Sequence, residues 1–170
     1  TYPRTDSRAL PEDYLATVRQ TMAVLADAPL AHLAPHARTA LEQGYVRPTK
    51  RVFDNTKVSD HFAIIPTPQV PQGLSDAEQK LYDLVVRRFI AVFFPPAEFL
   101  VTTRITQVPV DGATHHFKTE GKVLVKPGWM AVYGKEAAED VEGARAGDKG
   151  QPLVPVQPGE RVRTDDARVD

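Results

Sequence analysis

The chain has 170 residues, 42% of them hydrophobic and 25% charged, the composition of an ordinary folded protein rather than a disordered or fibrous one. It contains no cysteine, which excludes disulfides, a catalytic thiol and every cysteine-ligated zinc or iron–sulfur site. With 21 basic against 22 acidic side chains the net charge is −1, so any anion site must be local rather than a property of the whole surface.

Pro11 stands where a helix can begin, and Tyr14, Leu15, Val18, Met22 and Leu25 follow at three- and four-residue steps, which predicts a helix over 11–26. Pro35 is a second start and Gly44 a second stop, with Ala37, Ala40 and Leu41 between them as the apolar positions of a short helix. Ser75 followed by Glu78 is a capping box, and the helix it opens is expected to continue, mostly buried, until Pro95 and Pro96 end it. The apolar positions of that helix are Leu81, Leu84, Val85, Phe89, Val92 and Phe93. After Pro96 the period changes from 3.6 to 2, and residues 99–108, 115–125, 129–133, 152–156 and 161–163 read as strands. Asp111-Gly112 is a hairpin signal between the first two. Residues 134–150 are rich in Gly, Ala, Glu and Lys and read as an exposed loop. The fold class is therefore α+β, with a helical part over 1–96 and an antiparallel β part over 97–170. The longest apolar run, around 85–94, is broken by Arg87 and Arg88 and falls short of the roughly 20 residues of a membrane span. The first residue is Thr and no basic-then-apolar leader follows, so the expectation is a segment of something longer.

The opening Thr1-Tyr2-Pro3-Arg4-Thr5-Asp6-Ser7 is dense in functional groups. Pro3 pushes Tyr2 toward an extended conformation, which favours Tyr2 and Arg4 pointing to one side of the chain. A free tyrosine titrates near pH 10, so about one in a thousand is phenolate at neutral pH. A guanidinium cannot act as a general base, but it stabilises phenolate and holds a phosphate bidentately, the two tasks that tyrosine attack on a phosphodiester requires. His61 lies in Val58-Ser59-Asp60-His61-Phe62-Ala63-Ile64-Ile65-Pro66, where it is either a hydrogen-bonded structural group or a donor to a phosphate oxygen. His32 and His36 have the spacing of a helical metal pair, but Pro35 between them argues against one shared helix. His115 and His116 are strand neighbours facing opposite sides. There is no glycine-rich phosphate loop. Arg47, Lys50, Arg51 and Lys57 stand against Asp54 alone, a local excess of three positive charges that reads either as a solvated loop or as a set of phosphate contacts.

The run Thr1-Tyr2-Pro3-Arg4-Thr5-Asp6-Ser7 resembles the catalytic-tyrosine motif of the type IA DNA topoisomerases, Thr-Tyr-x-Arg-Thr-Asp-Ser. Asp60-His61-Phe62-Ala63-Ile64-Ile65-Pro66-Thr67 is similar to the histidine-containing motif that family carries downstream, and the stretch 80–89 resembles the helix that follows it. Thr102-Thr103, Gly121-Lys122-Val123-Leu124 and Pro127-Gly128-Trp129 fall in the family's order. Phe62 and Ile65 stand where the topoisomerase I branch usually has an acidic and a basic residue, so the likeness is closer to the bacterial topoisomerase III branch.

That resemblance implies a transesterification in which Tyr2 attacks a backbone phosphate of single-stranded DNA, Arg4 orients the phenol and neutralises charge, and His61 hydrogen-bonds a phosphate oxygen. Asp6 is assigned to holding Arg4, and Thr1, Arg47, Lys50 and Arg51 are expected to contact DNA. It implies that 1–96 is the later part of a tyrosine-bearing, CAP-like domain and that 97–170 is the returning β half of an arch. It also implies Mg²⁺, bound by an acidic Toprim domain outside this chain, and partners in that domain and in a strand-binding domain. No metal ligand is expected within the chain, no membrane partner, and a cytoplasmic, nucleoid-associated location. The segment alone is expected to be inactive in relaxation. The alternative is a binding module without chemistry, in which Arg47, Lys50, Arg51 and Arg87 contact phosphates and Tyr2 only stacks on a base.

Overall fold

Pro11 opens the first helical turn because its fixed φ, here −60°, suits an N-terminal position. In a computed structural model, which describes residues 1–134, 153–154 and 156–163, a 3-10 turn over Glu12–Tyr14 leads directly into α1, Leu15–Asp27. One face of α1 buries Val18, Met22 and Leu25. Thr21 is buried among them and is satisfied by donating to the Thr17 carbonyl at 2.9 Å. The second helix, α2, spans Ala34–Glu42 and packs on α1 through the small side chains Ala37 and Ala40. Arg38 donates to the Ala26 carbonyl at 2.8 Å, satisfying an otherwise orphaned acceptor at the end of α1.

Gly44 ends α2 as its position suggests. Its φ is +64°, Tyr45 N–H reaches the Ala40 carbonyl at 2.9 Å and Gly44 N–H the Leu41 carbonyl at 3.1 Å, the paired bonds of a Schellman cap. The capping box is also present: Ser75 N–H donates to Glu78 at 2.8 Å, Glu78 N–H donates to the Ser75 hydroxyl at 3.4 Å, and α3 runs over Asp76–Ala91. Two expectations for this helix need correction. It ends four residues before Pro95, in turns where Phe93 N–H bonds the Ile90 carbonyl and Phe94 N–H the Ala91 carbonyl. Nor is it mostly buried. Its C-terminal half buries Val86, Phe89 and Ile90, whereas Leu81 and Leu84 are 62% and 60% exposed, because no described element covers that face.

The two long strands are β1, Glu98–Val110, and β2, Ala113–Lys126, paired as a two-stranded ribbon. Asp111 and Gly112 have φ of +48° and +80°, the two left-handed residues that a type I′ hairpin turn requires. The expected strand at 129–133 is instead a 3-10 helix over Gly128–Val132. Its apolar residues are continuous rather than alternating, and the turn sends Met130 and Val132 into the interior. Residues 161–163 form no strand, nor do Leu153, Val154 and Val156. Gln157 and Glu160 close a turn there, with Glu160 N–H on the Gln157 carbonyl at 3.0 Å and Gly159 at φ +82°. Pro152, Pro155 and the expected loop from 135 onward lie outside the described residues.

The chain falls into two compact units, Thr1–Glu98 with Leu124–Val141, and Phe99–Val123 with Glu142–Asp170. The first holds the three α-helices around a core that includes Met22, Leu25, Leu33, Phe89, Ile90 and Phe93. The second is carried by the ribbon, where the Lys122 ammonium sits 3.8 Å over the Phe99 ring and Gly121 leaves room for Leu153, whose Cγ lies 2.8 Å from where a Cβ would be. Among the described residues no helix is long and apolar enough to cross a membrane.

Candidate active site

The first ten residues are held against two later stretches of chain. Leu10 forms a parallel bridge with Phe53, donating to the Val52 carbonyl at 2.8 Å and accepting from Asp54 N–H at 3.0 Å. Ala63 N–H donates to the Ala9 carbonyl at 2.9 Å. Between these anchors, three hydroxyls of the opening motif bond the backbone of residues 57–65. Ser7 donates to the Lys57 carbonyl at 2.7 Å and Thr5 to the His61 carbonyl at 3.4 Å. Thr1 donates to the Ala63 carbonyl at 3.4 Å and accepts from Ile65 N–H at 3.0 Å. The backbone nitrogen of Thr1 completes the clamp on the Ile65 carbonyl at 2.9 Å.

This clamp brings Tyr2 and His61 together across 59 positions of sequence. Their rings stack with centroids 4.4 Å apart and planes 25° from parallel. Tyr2 is 58% exposed and His61 is exposed as well, so neither is a core anchor. Face-to-face stacking leaves the polar edges uncovered: neither the phenol oxygen nor an imidazole nitrogen has a hydrogen-bond partner among the described residues. Phe62, next to His61, packs on Tyr14 at 4.7 Å and seats the histidine loop on the helical unit.

Arg4 is exposed and makes no hydrogen bond or ion pair among the described residues. The chain bends at Pro3 and again at Asp6, so no uninterrupted extended run carries Tyr2 and Arg4. The assignment of Asp6 to holding Arg4 is not met, because no ion pair joins them among the described residues. Of the local positive excess, most is paired internally. Lys50 lies 2.5 Å from Glu12, Lys57 lies 3.0 Å from Asp54, and Arg51 donates to the Val92 carbonyl at 2.5 Å. Arg47 has no such partner among the described residues. Arg87 is also engaged, with Asp83 at 2.9 Å and the Tyr133 carbonyl at 3.5 Å. His32 pairs with that same Asp83, while His36 sits edge-on to Phe94, and burial holds its pKa below the usual imidazole value. Among the described residues no group of three His, Cys, Asp or Glu side chains could hold a metal ion.

Sequence reasoning counted Asp54 only as a lone counter-charge; its carboxylate caps the 3-10 turn Asn55–Lys57, whose Lys57 carbonyl accepts from Ser7 of the clamp. The carboxylate accepts from the Thr56 hydroxyl at 2.6 Å and Thr56 N–H at 3.1 Å, and pairs with Lys57. The Thr56 hydroxyl, then Lys57, hold its pKa down to about 2 from 3.8. A carboxyl depressed in the folded state stabilises fully above its unfolded pKa and loses that contribution as pH falls through the folded value. Denaturant unfolding measured at successive pH values is therefore expected to lose stability between about pH 4 and pH 2. Asp54→Asn should be less stable at neutral pH and should show a shallower decline across that window.

A protein-family model described as DNA topoisomerase matches residues 1–170. The chain is 38% identical over 144 residues to the DNA topoisomerase 3 of Shouchella clausii, covering 84% of this chain and 18% of the relative. It is 38% identical over 164 residues to the DNA topoisomerase 3 of Bacillus subtilis, 95% of this chain and 21% of the relative. It is 40% identical over 144 residues to that of Bacillus licheniformis, 84% of this chain and 19% of the relative. The chain thus belongs to the type IA DNA topoisomerase family. It spans about a fifth of the length of these relatives.

Proposed function

We propose that this chain supplies the nucleophile of a longer, cytoplasmic, nucleoid-associated topoisomerase III-like enzyme that cleaves and rejoins single-stranded DNA without ATP. The observation that carries the reading is the stacked, exposed Tyr2–His61 pair with unpartnered polar edges, formed by the two sequence motifs that resemble the family's catalytic ones.

In this reading the Tyr2 phenol oxygen attacks a backbone phosphorus. A bond forms from tyrosine to phosphorus, the bond from phosphorus to the 3′ oxygen breaks, and the phenol proton is lost as the departing 3′ oxygen gains one. The product is a 5′-phosphotyrosyl ester and a free 3′-hydroxyl. One ester replaces another, so rejoining is the reverse attack and draws on no nucleotide. His61, stacked beside the phenol, donates from its ring edge to a non-bridging phosphate oxygen. Arg4, unencumbered by any carboxylate among the described residues, neutralises charge as the pentavalent centre develops. Thr5 places the histidine through its carbonyl. Mg²⁺ in this reading is held by an acidic Toprim domain outside this chain, which with a strand-binding domain makes up the partners within the enzyme. This segment by itself is accordingly proposed to be inactive in relaxation.

Trapping tests the proposal. The intact enzyme is mixed with an oligonucleotide labelled on either side of the break and quenched in denaturant. Label on the 3′ side of the break is expected to travel with the protein, and peptide mapping to place it on Tyr2. Label retained from the 5′ side, or mapped to another residue, would contradict it. Salt-sensitive binding with no adduct at all would favour a binding module instead.

A further inference from the structure

His61 is held through its backbone and left loose at its ring. The imidazole is exposed, and its one ring contact among the described residues is the stack on Tyr2. A ring stacked on one side alone can still turn about its side-chain bonds, so the direction of its polar edge follows from where the backbone sets its Cβ. Three attachments set that backbone. The Thr5 hydroxyl donates to the His61 carbonyl at 3.4 Å, long for an O–H donor. Ala63 N–H donates to the Ala9 carbonyl at 2.9 Å, but two residues further on. Between these, Phe62 lays its ring on Tyr14, with centroids 4.7 Å apart and planes at 49°, and both residues are half-buried against the core. Tyr14 is a firm seat, because it occupies the N-terminal cap position of α1 and its N–H donates to the Pro11 carbonyl at 3.1 Å.

Neighbouring side chains thus divide the work: the His61 ring lies on Tyr2 and the Phe62 ring on Tyr14. The planar peptide between the two residues carries any movement of one to the other. We propose that Phe62, seated on Tyr14, is a positioning residue for the cleavage step: it fixes the direction in which His61 presents its N–H to the phosphate and touches no substrate itself. The inference rests on the proposed roles of Tyr2 and His61, whereas the seat rests on packing alone. Two limits bound the effect. Removing an oriented donor outright costs about 10²–10³ in rate, and misplacing a reacting group by about 1 Å costs up to about 10². Losing the seat leaves the donor but widens the range of places it visits, so a loss of about tenfold in cleavage is expected. Strand binding is spread over many phosphate contacts and should change little.

The experiment is single-turnover cleavage of a labelled single-stranded oligonucleotide by the intact enzyme, with non-covalent affinity measured separately. Phe62→Ala is expected to slow adduct formation about tenfold and to leave affinity within about twofold. Tyr14→Ala should behave alike, whereas Tyr14→Phe keeps the ring and should keep the wild-type rate. A double-mutant cycle separates positioning from packing. In a His61→Ala background, Phe62→Ala should cost less than about twofold more, because no imidazole is left to aim. Leu25→Val, buried toward the other end of α1 and about three turns from Tyr14, should lower the unfolding midpoint without slowing cleavage. Should Phe62→Ala unfold the enzyme, Phe62→Leu carries the same cycle with a loss of about threefold expected. An unchanged rate, a loss confined to affinity, an equal loss in both backgrounds or an equal loss with Leu25→Val overturns the inference while the Tyr2 adduct stands. A wild-type enzyme that forms no adduct on Tyr2 sinks the proposed function instead, and the seat loses its role with it.

Discussion

Tyr2→Phe in the intact enzyme is expected to reduce the covalent protein–DNA adduct below about one part in 10⁴ of wild type, since in the proposed mechanism removing the Tyr2 hydroxyl leaves no covalent route. Non-covalent binding of a single strand should stay within about twofold. The expectation is sharp because the substitution is clean. Phenylalanine keeps the ring that stacks on His61 at 4.4 Å, so the geometry of the pair persists and only one oxygen is lost. The other hydroxyls of the opening motif are not free to replace it. The hydroxyls of Thr1, Thr5 and Ser7 are all committed to backbone carbonyls of residues 57–63, and redirecting any of them would loosen the clamp that places the histidine. Denaturing electrophoresis of quenched reactions gives the measurement. A persistent adduct would remove Tyr2 from its role and send the search to another nucleophile.

What the sequence made legible was whatever a few adjacent residues decide. Ser75 and Glu78 form their box, Gly44 closes α2, and Asp111-Gly112 turns the hairpin, because each device is complete within about six positions. Partners far apart in sequence were not legible. Nothing near Lys50 announces Glu12, 38 positions earlier, or ties Arg51 to the Val92 carbonyl 41 positions on, so a cluster of positive charge looked freer than it is. The same limit explains Leu81 and Leu84, whose helical spacing signals an apolar face but not what covers it. Residues 129–133 failed for a different reason. A short run of apolar residues suits a strand or a tight helical turn, and tertiary contacts decide between them. The site itself was half legible. Motif resemblance singled out Tyr2 and His61, while the three hydroxyls that align them carried no periodic or charge signal, because what they bond is backbone.

Gly128→Ala is expected to be among the most destabilising single-methyl changes in the first unit, costing at least about 3 kcal/mol. Two effects add there. The residue has φ +49°, left-handed backbone that costs an L-residue roughly 1–2 kcal/mol. A Cβ would also lie 2.4 Å from the Pro96 carbonyl oxygen and 2.5 Å from that of Pro95, inside any tolerable contact. The obstacle is backbone, and it cannot easily retreat: both carbonyls belong to prolines with fixed φ, and Trp129 N–H is bonded to the Pro95 oxygen at 2.9 Å. Moving them would pull Trp129, Met130 and Val132 away from the core they fill. Gly44→Ala is the internal standard, because Gly44 has a similar φ of +64° but nothing within 4 Å of its would-be Cβ. It should cost only the conformational term, about 1 kcal/mol, in denaturant unfolding followed by circular dichroism. The difference between the two variants isolates the clash. Equal losses would mean that the Pro95-Pro96 turn yields, and the packing of the 3-10 helix against it would then be far softer than its contacts indicate.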